Sequence, residues 1–240
     1  MRPGLRRRNR DGTTGRMQFW QEFSPPSPEP AEWRGHYDAP MPDGARLRLP
    51  LRDLGDHAVA GLIVNQASFP VVDRLTDWVA ERVARFGAEV VVGLPTLGHV
   101  VAPAVARALG HPNWVAAGFS RKLWYEEALS VPVASVTSPR AGRRLWLDPR
   151  VLPRLRGRRV LLADDVMCTG RSMLAGLALL RAAGVTPVAA SVAMLQGDQW
   201  RAAWDDAIPV SGAFATPLFR RGGDGWVARP ETALHHLCRH

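Results

Sequence analysis

The sequence predicts an α/β fold, a parallel sheet flanked by helices with a small hood, on three observations. β-Branched apolar runs of strand length recur through the middle of the chain. Segments with helical periodicity separate them, opened by Pro or Gly and closed by Gly. The two kinds of segment alternate at the spacing of βαβ units. A chain of 240 residues with 46% apolar content can bury one such core.

Residues 1–32 read as a disordered tail. The first 16 carry six arginines against one carboxylate, Asp11, so much of the net charge of +9 sits there, and an upstream start codon would explain that stretch before Met17. Ser24 to Pro30 (SPPSPEP) is an extended linker, which places the start of the folded body near Trp33. Residues 58–64 read as a short strand. A helix follows from Pro70 to about Phe86, with Val71, Leu75, Trp78, Val79, Val83 and Phe86 on one face. Glu89 to Leu94 is a buried strand, Gly98 to Leu109 a helix closed by Gly110, and Asn113 to Ala117 a strand. Arg158 to Ala163 is the next strand, Ser172 to Ala183 a helix closed by Gly184, and Thr186 to Leu195 the last strand of the series.

The arginines near the N-terminus are not followed by an apolar stretch of the export type, and the run Val90 to Ala106 is broken by Pro95, Gly98 and His99. Cys168 and Cys238 form no disulfide framework and no metal-ligand spacing. A cytoplasmic protein without a membrane partner is expected, and a nucleic-acid partner is not.

In an open parallel sheet, ligands bind beyond the carboxyl ends of the strands. The strongest signal lies there, in Val160 to Ser172 (VLLADDVMCTGRS). Asp164 and Asp165 end an apolar run, so their carboxylates can accept hydrogen bonds from a vicinal diol. The Thr169-Gly170 turn opens a helix with Ser172 near its N-cap, and such a turn offers backbone N–H groups to a phosphate. A ribose 5-phosphate has both features; a helix-capping or Mg²⁺-binding acid pair is the competing reading. A second loop, Leu94 to His99 (LPTLGH), and a third, Phe119 to Trp124 (FSRKLW), leave neighbouring strands. The third holds Arg121 beside Lys122, the only lysine among 31 basic residues. A compact ammonium does what a planar guanidinium does badly, although adjacent basic residues also suit a solvated edge.

The Val160 to Ser172 segment resembles the phosphoribosyl pyrophosphate (PRPP) motif of type I phosphoribosyltransferases, with the adenine and xanthine enzymes closest in pattern. The resemblance spans about Arg46 to Leu195 and is specific in the three loops. It implies a Rossmann-like core and assigns Asp164 and Asp165 to the ribose hydroxyls, and Val166, Met167, Cys168, Thr169, Gly170, Arg171 and Ser172 to the 5′-phosphate. Thr96, Leu97 and Gly98 would meet the pyrophosphate with their backbone, and Arg121 and Lys122 would stabilise it as it leaves. Arg171 replaces a second glycine common in the family, and Cys168 replaces a small or hydroxylated residue. Residues 123–147, with the run Ser135 to Ser138, resemble the family's flexible loop, a plain β-hairpin being equally consistent with the residues. The hood would come from about 33–69 and 197–240, with Asn65 reading a base edge and Phe69 stacking on it. The implied reaction is transfer of the phosphoribosyl group from PRPP to a nucleobase, a purine, by a homodimer. Mg²⁺ would be held by PRPP oxygens and water rather than directly by protein. The alternatives are a non-catalytic PRPP-binding regulator and an enzyme of another pyrophosphorylated sugar. Neither GxGxxG nor GxxxxGK[ST] is present, which excludes dinucleotide and P-loop sites.

Overall fold

The protein is described by a computed structural model over residues 21–133 and 143–233. The Arg-rich stretch, the Ser135 to Ser138 run and Cys238 lie outside the described residues. Folded structure begins earlier than the sequence predicts. Phe23–Ser24 (β1) and His36–Pro40 (β2) both pair antiparallel with Arg46–Asp53 (β3), and β3 pairs with His57–Ala60 (β4). Residues 25–30 are exposed and without regular secondary structure, Ser27 and Glu29 both meeting Arg46, whereas Gln21 to Ser24 are part of the folded body. In β3, Leu47 and Leu49 are fully buried while Arg48 and Arg52 are exposed, the period-two alternation of a sheet packed on one face.

Helix Phe69–Val83 (α1) buries Val71, Leu75, Trp78, Val79 and Val83, five of the six residues its periodicity predicts on one face; Phe86, the sixth, lies in the 3-10 turn Ala84–Phe86 that follows and is partly buried. Then come Val90–Gly93 (β5), helix Gly98–Ala108 (α2), Val115–Ala116 (β6) and a hairpin of Ser130–Pro132 (β7) with Arg144–Trp146 (β8). A short helix Leu152–Leu155 (α3), Val160–Met167 (β9), helix Arg171–Ala182 (α4), Ala189–Gln196 (β10) and Val210–Thr216 (β11) complete the core. Leu218–Arg221 (β12) and Trp226–Arg229 (β13) return to the first sheet, where β12 pairs with β4.

The parallel sheet has the order β11-β10-β9-β5-β6. Val91, Leu161 and Ala163 face α1, α2 and the antiparallel sheet; Val90, Val92, Val160 and Leu162 face α4, α3 and the hairpin. Both faces are covered, which is why these strands read as unbroken apolar runs. β11 corrects the expectation that all of 197–240 belongs to the hood: Val210–Thr216 is the edge of the parallel sheet, in register with Ala190–Gln196. The antiparallel sheet is built from the two ends of the described chain. Within 123–147, Leu129, Leu145 and Leu147 are buried against the core beside α4, so the stem of that segment is an anchored hairpin. Among the described residues no helix is long and apolar enough to cross a membrane.

Candidate active site

β5 and β9 are adjacent, yet the chain leaves β5 through α2 toward β6 and leaves β9 through α4 toward β10, in opposite directions across the sheet. That is a topological switch point, where a crevice opens beyond the carboxyl ends of the strands. Pairing between β5 and β9 ends at Gly93 with Ala163, and the N–H of Leu94 donates to the carbonyl of Ala163 at 2.9 Å. β9 continues for four more residues paired only with β10, through Val166 with Met194 and Met167 with Leu195. Asp164 and Asp165 therefore stand on the overhang of a central strand. Val166 and Met167, expected in the phosphate loop, belong to this strand, which shortens the loop to Cys168, Thr169 and Gly170.

Asp164 is buried, 4% exposed, and its Oδ1 accepts from the backbone N–H of Asp165 at 2.9 Å. Gly98, the first residue of α2, also donates its N–H to this carboxylate. The approach is close: a Cβ on Gly98 would stand 2.6 Å from Asp164 Oδ1 and 3.0 Å from its Cα. Only glycine lets the tip of α2 meet the acid, a role of the LPTLGH loop beyond ordinary strand-to-helix connection. Burial drives the Asp164 carboxyl well above the usual carboxylate range, the charge of Asp165 adds to this, and the two backbone N–H groups oppose it. Burial also raises Asp165, which is less enclosed. Two adjacent acids withheld from water are costly to keep ionised without a partner, and a ligand rich in hydroxyls or carrying a cation would relieve that cost.

The turn after β9 ends at Gly170, the N-cap of α4, with a left-handed φ of 77°. A Cβ there would also stand 3.0 Å from Trp200 Cβ, so Trp200, which the sequence did not single out, backs the turn. Neither α2 nor α4 has a side-chain cap or an acidic residue in its first turn; at α2 the first N–H groups are taken, Gly98 by Asp164, His99 by the carbonyl of Thr96 and Val100 by that of Leu97, whereas at α4 those of Arg171 and Ser172 have no partner among the described residues and are open to an anion. Ser172, expected near the N-cap, is the second helical residue, two after the cap Gly170, and is exposed. Thr169 and Arg171 are exposed as well, and Arg171 has no ion-pair partner among the described residues. Cys168 is half-buried and burial raises its thiol pKa, which does not favour a reactive thiolate.

Of the second loop, Thr96 is exposed and Leu97 partly buried, and the Pro95–Thr96 peptide is cis. His99 Nε2 lies 2.9 Å from the carbonyl of Ala117 and its ring packs edge-on to Trp114, joining this loop to the end of β6. There the third loop begins. Arg121 does not stand free: its Nη1 is 2.6 Å from Glu127 Oε1, and its guanidinium lies over the ring of Trp146 at 5.1 Å. Lys122 is exposed with no partner among the described residues. Glu127 and Trp146 give no sign of this in the sequence, because the contacts cross the hairpin. Asn65, in a 3-10 turn, and Phe69, 83% exposed at the start of α1, sit on the turn beside α2.

Among the described residues no three His, Cys, Asp or Glu side chains converge as a metal cage. A cavity of about 340 Å³ lined by Tyr37, Met41, Arg82 and Phe214 lies away from the three loops.

Comparison with known proteins gives the family. The family model for the phosphoribosyl transferase domain matches residues 62–210, more than half of the chain. Comparison with curated protein sequences gives no match. Among solved structures, the adenine phosphoribosyltransferase of Giardia lamblia, complexed with 9-deazaadenine, is similar at a TM-score of 0.51 and 20% identity, over 61% of this chain and 81% of that one. The adenine phosphoribosyltransferase of Thermoanaerobacter pseudethanolicus is similar at a TM-score of 0.50 and 18% identity, over 60% and 80%. With the acid pair at the switch point of a five-stranded parallel sheet and the family match running from the turn before α1 to the start of β11, the chain belongs to the phosphoribosyl transferase domain family and is an enzyme of that family.

Proposed function

We propose that this enzyme transfers the 5-phosphoribosyl group of PRPP to a ring nitrogen of a purine base and releases pyrophosphate, as a homodimer working in purine salvage. The observation that carries the reading is the acid pair at the switch point, with Asp164 buried against the tip of α2 and the N-terminus of α4 open at the end of the turn that follows Asp165. The two carboxylates accept hydrogen bonds from the ribose 2- and 3-hydroxyls. Backbone N–H groups from Cys168 to Ser172 cradle the 5′-phosphate, and the unpaired guanidinium of Arg171 adds a charged contact where a second glycine would give none. Thr96, Leu97 and Gly98 hold the pyrophosphate by their backbone. The likeness to a protein solved with 9-deazaadenine supports a purine acceptor, met by Asn65 and Phe69.

In the reaction the bond from C1 of the ribose to the pyrophosphate oxygen breaks and one from C1 to the base nitrogen forms. Positive charge develops at C1 and negative charge on the leaving oxygens. Ionised Asp164 and Asp165 favour the first and Lys122 the second. The donor set fits a Mg²⁺ ion that takes most of its oxygens from the substrate and water, since the described residues offer two adjacent carboxylates and no cage. When bound, that ion would neutralise the diphosphate. The non-catalytic PRPP sensor has no structural observation in its favour.

Lys122 and Arg121 should differ. Lys122→Ala is expected to weaken Mg²⁺-PRPP binding by about tenfold or more, the value of a lost charge-assisted contact to phosphate. Arg121→Ala should cost less, because Glu127 already engages the guanidinium and the pair is half exposed. Titration calorimetry with PRPP and Mg²⁺ reads both. Wild-type protein that takes up no PRPP contradicts the proposed function, and equal losses contradict the division of labour.

A further inference from the structure

We infer that Gln21 is the positioning residue of the acceptor turn, holding the segment that carries Asn65 and Phe69 in the shape that selects the base. The inference rests on the reading that this turn meets the acceptor.

Gln21 is only 3% exposed, yet it lies in a region whose composition reads as tail and linker. A buried amide is retained only if its donors and acceptor are satisfied, and here every bond goes to one loop or its neighbour. The side-chain Nε2 donates to the carbonyl of Gly61 at 3.1 Å and, at the long limit of 3.5 Å, to that of Arg48. Oε1 accepts from the N–H of Ile63 at 2.9 Å. The main chain takes the other end of the loop: the N–H of Gln21 donates to the carbonyl of Gln66 at 3.3 Å, and its carbonyl accepts from the N–H of Ser68 at 2.9 Å.

One residue thus ties 61–63 to 66–68 across the turn. Between those ties Val64–Gln66 forms a 3-10 turn with Val64 turned into the core and Asn65 outward, and Phe69 follows at the start of α1 with its ring in solvent. Asn65 and Phe69 have no partner of their own among the described residues. Their placement is therefore set by the backbone on which they stand, and the backbone by Gln21. Gln196 Nε2 donates to the carbonyl of Ala60, fixing the residue before the loop to the end of β10. The loop is consequently held from the antiparallel sheet, from the parallel sheet and across its own mouth by Gln21. Loss of the Gln21 side chain frees the carbonyl of Gly61 and the N–H of Ile63, and leaves the Asp164 notch untouched.

The test is steady-state kinetics on the full-length chain with Gln21→Leu, which keeps the volume and removes both polar groups, and Gln21→Glu, which keeps the acceptor for Ile63 and loses the donor. Gln21→Leu is expected to raise KM for the preferred base about tenfold, the fold-change of one to two lost buried hydrogen bonds. KM for PRPP should stay within twofold, and discrimination between the preferred base and the next best should narrow. Gln21→Glu should fall between wild type and Gln21→Leu. Equal rises in both KM values, or unchanged base KM in a folded Gln21→Leu protein, overturns the inference; if Gln21→Leu does not fold, Gln21→Glu decides by the same split. Asn65→Ala separates the two readings. A raised base KM in Asn65→Ala with none in either Gln21 variant sinks the role of Gln21 alone, whereas an unchanged base KM in Asn65→Ala sinks the placement of the acceptor and this inference with it.

Discussion

Asp164→Asn is expected to lose about 10² to 10³-fold in kcat/KM for PRPP while the protein becomes more heat-stable. The first effect follows from charge. An amide keeps the bonds from the N–H groups of Gly98 and Asp165 but cannot offset the positive character at C1, and losses of one preorganised electrostatic contact are of this size. The second follows from linkage. Burial first, and the Asp165 charge next, raise the Asp164 pKa in the folded state. Between the ordinary carboxylate range and that raised value the folded protein binds more protons than the unfolded chain, so stability falls as pH climbs through the window. Removing the charge removes this loss, and the melting temperature measured at neutral pH should rise. The same shift has a catalytic signature: the acid limb of the pH profile for kcat/KM of PRPP should lie above the ordinary carboxylate range. It should move to lower pH in Asp165→Asn, where the neighbouring charge is gone. A destabilised Asp164→Asn protein, or an acid limb in the normal range, contradicts the account of the pair.

Gly98→Ala should be nearly as damaging, although it adds one methyl group. The new Cβ would meet the Asp164 carboxylate at 2.6 Å and the Asp164 backbone at 3.0 Å. The carboxylate is buried and bonded to the backbone N–H of Asp165, the second contact is backbone, and β9 at Asp164 is held by its pairing with β10. The tip of α2 must therefore retreat, carrying Thr96 and Leu97 with it and withdrawing the Gly98 N–H from the acid. A displacement of about 1 Å in a positioned site costs on the order of 10²-fold in rate. Kinetics with PRPP and thermal melts should show both a lower kcat/KM and a lower melting temperature. Full activity would mean that the LPTLGH turn is not part of the site.

The parallel core was legible because its strands are covered on both faces, which makes Val90–Gly93 and Val160–Ala163 read as unbroken apolar runs. The acid pair was legible because nothing in a fold requires two carboxylates at the end of such a run. The antiparallel sheet was harder: of its strands the sequence shows only β4, since β1, β12 and β13 are two to four residues long and β3 carries Pro50 in the middle of its alternation. β11 hid because Val210–Thr216 contains Ser211 and Gly212, a weak strand signature that only its register with β10 rescues. Gln21 was invisible because a polar residue beside a proline-rich stretch reads as solvated until the backbone it bonds is known. Arg121 and Lys122 were found together but not told apart, since Glu127 reaches Arg121 only through the path of the hairpin.

The central claim, that PRPP is split at the Asp164-Asp165 notch with a purine as acceptor, is tested most directly by pyrophosphate release. The protein is given PRPP and Mg²⁺ with adenine, guanine, hypoxanthine, xanthine, uracil or orotate in turn, beside an Asp164→Asn, Asp165→Asn double variant. Turnover with a purine, lost in the double variant, is the result predicted here; PRPP bound without turnover of any base, or turnover that survives in the double variant, would contradict it.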